Sequence, residues 1–247
     1  MRLSSKTFVF YMGTILLSGM FLLLQVFVFT DSGLTLMQFA PGIVAIVMVK
    51  LVRKENESIT LFKRCVQQKS DWLWVSLSAI VPAVMVWGCD VAYRVFTHQS
   101  FDSYSSSAVN WSPWYIFSVC LGCIGEEIGW RGYLLPLLSQ KHGLLRSGML
   151  VGLMWGIWHF QFGEGWGFIL FIIMTVELSI IITWLWHKSN QSLLAAIIFH
   201  ASFNYCTQYL YGNIFNIYLR LLQVLLFGML AVIIGARISK APNDEYT

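Results

Sequence analysis

About eight stretches of roughly twenty residues, each nearly free of charge, recur along this 247-residue chain. They exclude a soluble fold, because no polar surface is left to cover them. A helix rises about 1.5 Å per residue, so roughly 20 apolar residues cross a hydrocarbon core about 30 Å thick. The runs are Thr7–Phe29, Gly33–Val52, Trp72–Phe96, Pro113–Ser139, Leu145–Phe162, Trp166–Trp186, Gln191–Tyr211 and Ile214–Ala236. Backbone groups in lipid must find their hydrogen bonds within the segment, which selects helices. The expected fold is therefore all-α, a polytopic membrane helix bundle of about eight transmembrane helices, forming a single integral membrane domain over residues 1–247. Composition agrees: 11% of the residues are charged, against about 25% in a soluble domain. The first run is too long for a signal peptide and lacks a small-residue cleavage site. Pro41 is expected to kink the second run.

Charge orders these helices across the bilayer. With the N-terminus inside, the inner segments hold Arg2, Lys6, Lys50, Arg53, Lys54, Lys63, Arg64, Lys69, Lys141, Arg146, Lys188, Arg237 and Lys240, thirteen of the sixteen bases. The other three, Arg94, Arg131 and Arg220, lie within spans, and the outer loops carry Asp31, Asp102 and Glu164. This is the positive-inside asymmetry, with both termini cytoplasmic. Bases confined to inner loops are no nucleic-acid signal, so no nucleic acid is expected as a partner, and the lipid bilayer is. The compact length and short loops suggest a bacterial cytoplasmic membrane. Cys65, Cys89, Cys120, Cys123 and Cys206 form no disulfide framework and are read as reduced thiols. Cys120-x-x-Cys123, inside an apolar run without a second pair, reads as packing.

Ionisable side chains at bilayer depth cost several kcal/mol unless paired or solvated, so each is a functional candidate. The fourth run holds Glu126-Glu127-Ile128-Gly129-Trp130-Arg131. Glu127 and Arg131 have the i, i+4 spacing of a helical ion pair, with the acid N-terminal. Glu126 points about 100° away and is left without that cation. An acid so placed suits a general base that activates water, with Glu127 and Arg131 as a brace. The residues alone leave the reverse assignment of the two glutamates open. The fifth run ends in Trp155-Gly156-Ile157-Trp158-His159, and the seventh holds His200-Ala201-Ser202-Phe203-Asn204, where His200 and Asn204 share a helix face. Counting rises from the helix ends puts Glu126, His159 and His200 in one middle layer. Any one of them alone reads as a structural hydrogen bond or ion-pair lock. Three such accidents at one depth are harder to credit.

These motifs resemble those of the CPBP intramembrane protease family, the CAAX proteases and bacteriocin-processing (Abi) enzymes. That family carries Glu-Glu-x-x-x-Arg, Phe-x-x-x-His and His-x-x-x-Asn on separate membrane helices in this order. The likeness covers residues 113–211 as a catalytic core, with Trp155 standing where the family usually has Phe. It implies peptide-bond hydrolysis within the membrane, with Glu126 and His159 activating water and His200 and Asn204 stabilising the oxyanion. The implied partner is a peptide or protein substrate, with a bacteriocin or peptide pheromone as the candidates. No His-Glu-x-x-His motif is present, and the expected cofactor is none, although a Glu/His/His/Asn set can ligate zinc in principle.

The remaining buried charges read as structural. Asp90 and Arg94 have ion-pair spacing, while Glu177 and Arg220 are isolated in their spans and pair across helices or, for Glu177, line the cavity. Two other functions stay in view: a bacteriocin immunity protein that binds without cutting, and a transporter, against which the absence of an internal repeat argues.

Overall fold

A computed structural model of the chain describes residues 3–28, 35–51, 70–99, 113–210 and 216–240. The stretches 53–69 and 100–112 between the expected runs therefore fall outside the described residues, as does Cys65. Among the described residues the chain is all-helical, and each expected run lies on a helical segment. These are α1 (Leu3–Val28), α2 (Ala40–Leu51), α3 (Trp72–Thr97), α4 (Pro113–Glu127), α5 (Leu135–His142), α6 (Leu144–Trp158), α7 (Trp166–Lys188), α8 (Leu193–Leu210) and α9 (Ile217–Lys240). Helices α1, α3, α7 and α9 are long and apolar enough to cross a membrane by length and composition. The apolar helices α2, α6 and α8 are shorter.

Two local features depart from the expectations. Pro41 does not kink the middle of a helix. A 3₁₀ turn over Leu36–Phe39 precedes α2, and Pro41 sits in the first turn of α2, where an intrahelical N–H is not needed. The fourth run is not one α-helix either. Between α4 and α5 the backbone winds as a π-helix over Ile128–Leu134, and Leu135 N–H donates to the Trp130 carbonyl five residues back. Single π turns inside α-helices occur frequently at functional sites, and this one begins directly after Glu127.

Small residues bring the helices around the site into backbone contact, the usual solution where lipid offers no hydrophobic drive for association. On α6, Gly148, Gly152 and Gly156 form one stripe, which faces Thr175, Ser179 and Thr183 of α7. Ser179 Oγ donates to the Gly148 carbonyl at 2.7 Å. A Cβ at Gly152 would stand 2.6 Å from Val176 Cα and 2.8 Å from the Thr175 carbonyl oxygen. Both obstacles are backbone, so Gly152→Leu is expected to lower stability by about 1–3 kcal/mol or more. Gly19→Leu, where nothing lies within 4 Å, is the control. Thermal unfolding in detergent compares the two, and equal midpoints would contradict the packing described. A second close approach sets the start of α2 on α4, where a Cβ at Gly42 would meet the Gly125 carbonyl oxygen at 2.6 Å.

The far end of α6 is tied to α1. Tyr11 Oη donates to the Met154 carbonyl at 3.0 Å, and Trp158 Nε1 donates to Ser18 Oγ at 2.8 Å. With 15 residues, α6 is about 22 Å long, shorter than a hydrocarbon core. Its C-terminal end is capped by a polar residue.

Candidate active site

That cap is His159. Its Nδ1 lies 2.8 Å from the Trp155 carbonyl oxygen. A carbonyl only accepts, so Nδ1 carries a proton and Nε2 is the nitrogen left to act elsewhere. The ring is walled by Trp158 and Phe171, at centroid distances of 5.1 and 4.8 Å. Helix α4 ends in Glu126 and Glu127, both buried. Arg131, 0% exposed, donates from Nη1 to Glu127 Oε1 at 2.9 Å. From α8, His200 places Nδ1 2.9 Å from the same Glu127 oxygen. Glu127 is thus shared between a guanidinium and an imidazole. Asn204, one turn further along α8, directs Nδ2 toward Cys123 Sγ at 3.6 Å.

Among the described residues Glu126 makes no ion pair, as its helical phase implies, but it is not without a hydrogen bond. Trp155 Nε1 donates to its Oε2 at 2.7 Å. Trp155 also lies 4.9 Å beneath the Arg131 guanidinium and packs its edge against His200 at 5.0 Å.

A cavity of about 250 Å³ joins these groups. Glu126, Trp155, His159, His200 and Asn204 line it, while Glu127 and Arg131 stand behind the wall. Its apolar side is built by Phe171, Met174, Leu178, Phe203 and Leu219, and Gln38 reaches it from the 3₁₀ turn before α2. Arg220 lines the cavity too, donating to Glu164 and, at 2.9 Å, to the Gly167 carbonyl. It is therefore paired with the loop between α6 and α7 and is not isolated. Glu177 does not line the cavity; it packs toward Gly228 of α9. Asp90 and Arg94 form the expected pair at 2.8 Å, and Cys89, Cys120, Cys123 and Cys206 are free thiols.

Six of the residues gathered here are those expected from the motifs, while Arg220 is expected only as structural, Trp155 only as a motif position, and Gln38 is not among the expected residues. Gln38 and Arg220 are polar chains in apolar runs, and only tertiary contact shows that they face the cavity. Trp155 carried a usable signal, being four residues before His159 and so on the same helix face. Among the described residues no three His, Cys, Asp or Glu side chains are gathered to hold an ion.

Fold and cavity together define a multi-pass helical membrane protein with a buried carboxylate–imidazole–amide site. Residues 108–206 match the family model of the Rce1-like type II CAAX prenyl endopeptidases, and over this stretch the chain is similar to that family. A curated relative, the CAAX prenyl protease 2 of Methanococcus maripaludis, is 32% identical over 102 residues, covering 36% of this chain and 38% of that protein. The likeness inferred from the three motifs is thus borne out, over a minority of either chain.

Proposed function

We propose that the chain is an intramembrane endopeptidase that hydrolyses a peptide bond of a membrane-associated peptide or protein. It crosses the membrane about eight times with both termini cytoplasmic, and residues 113–211 form the catalytic core. The observation that carries the reading is that Glu126, His159, His200 and Asn204 line one cavity while Glu127 and Arg131 brace it from behind. Glu126 takes a proton from a water oriented with the help of His159 Nε2. The water oxygen bonds to the scissile carbonyl carbon, whose oxygen becomes an oxyanion. Asn204 Nδ2 has a second N–H to offer that oxyanion beside the one aimed at Cys123. His200 donates from Nε2 only when both ring nitrogens are protonated, and Glu127 is then its counter-ion. The C–N bond breaks as Glu126 returns its proton to the leaving nitrogen.

The name of the Methanococcus maripaludis relative makes a prenylated Cys-aliphatic-aliphatic-X peptide the first probe, with an unprenylated apolar peptide of bacteriocin or pheromone type as the second. Internally quenched versions of both are offered to the purified protein in proteoliposomes. Glu126→Ala, His159→Ala and His200→Ala are each expected to abolish cleavage without unfolding the protein. Intact cleavage in all three sinks the assignment of the reaction to this site. Intact protection of cells from a peptide toxin in all three would favour an immunity role by binding alone.

A further inference from the structure

Trp155 touches four residues of the site at once. Its indole N–H binds Glu126, its carbonyl binds His159, its face lies under Arg131 and its edge meets His200. The residue is 3% exposed, and its helix is fixed on both sides, by the glycine stripe against α7 and by the Tyr11 and Trp158 hydrogen bonds to α1. A donor so held cannot follow a wandering carboxylate, so the carboxylate conforms to it.

From this geometry we infer that Trp155 is the positioning residue of the water-activating pair, its indole N–H fixing Glu126 and its carbonyl fixing the tautomer of His159. The inference rests on the endopeptidase reading. Tying Oε2 to the indole leaves Oε1 as the oxygen that meets water, and tying Nδ1 to the carbonyl leaves Nε2 as the nitrogen that does. Both orientations therefore descend from one rigid residue, the arrangement that preorganised catalysis requires. Phe, the usual residue of the resembling family at this position, supplies the carbonyl but no side-chain donor. The Glu126 half of the device thus depends on the indole of this chain.

The test replaces Trp155 by Phe and, in parallel, by β-(3-benzothienyl)alanine, whose sulfur takes the place of the N–H in a ring of similar shape. With the quenched peptide in proteoliposomes, kcat is expected to fall about 10- to 100-fold in both variants. KM should stay near wild type, the signature of an interaction that serves the chemical step. In a Glu126→Gln background the same substitutions should cause little further loss, because the two sites act as one unit. A readout independent of turnover is the infrared carboxyl band that Glu126→Gln removes; it is expected to shift in both Trp155 variants, and it decides the matter if neither peptide is cleaved. Wild-type kcat in the benzothienyl variant, or an unmoved band, overturns the inference. Wild-type kcat in Glu126→Gln removes Glu126 from the reaction instead, and with it the water-activating role on which the inference rests.

Discussion

Glu126→Gln is expected to reduce peptide cleavage about 10²- to 10⁴-fold in kcat, the range that a positioned proton-transfer group contributes. The substitution is chosen because the amide keeps the shape of the side chain and its oxygen can still accept from Trp155 Nε1. The fold should therefore hold, and the thermal midpoint should stay near wild type. Glu126→Leu is the contrasting variant. It leaves the indole N–H of Trp155 buried without an acceptor, which costs about 1–3 kcal/mol. Activity lost in both variants, with stability lost only in the second, separates chemistry from support. Cleavage by Glu126→Gln at the wild-type rate would remove Glu126 from the reaction.

Arg131→Leu is expected to be the most destabilising single change in the site. Arg131 and Glu127 are both fully buried and joined at 2.9 Å. Removing one member of such a pair leaves an uncompensated charge and costs about 3–5 kcal/mol. The double variant Glu127→Leu/Arg131→Leu should recover much of that loss, because well-packed apolar residues often replace a buried pair at little cost. Activity should not return with stability, because His200 Nδ1 then faces no carboxylate. Thermal unfolding and peptide cleavage measured on the same two preparations check this. A double variant as unstable as the single one would show that the pair is not the source of the loss.

The site residues were legible because charge at bilayer depth has so few structural uses. Glu126, Glu127, Arg131, His159, His200 and Asn204 stand out in runs where nearly everything else is apolar. The helices were legible for the same reason, since each run has the composition of a buried or lipid-facing segment. What sequence could not show is what faces what. The hydrogen bond from Trp155 to Glu126 joins residues 29 positions apart, and the Arg220–Glu164 pair spans 56; no local pattern encodes either. The 3₁₀ turn that carries Gln38 into the cavity hides within an ordinary apolar run. Alternative windings were also hidden, because the side chains of Ile128–Leu134 suit an α-helix as well as a π-helix.

That wider winding has a consequence for how the chain tolerates length changes. Each π ring closes over one residue more than an α ring, so the segment absorbs an extra position without breaking the rod. The two α-helices it joins are consequently out of phase with each other. Deleting a single residue between Arg131 and Leu134 would leave every motif intact, yet it would let the rod relax to uniform pitch and rotate everything that follows. Leu135, Leu137 and Leu138, now buried, would turn from the core toward lipid. At this point of the chain, counting residues matters as much as choosing them.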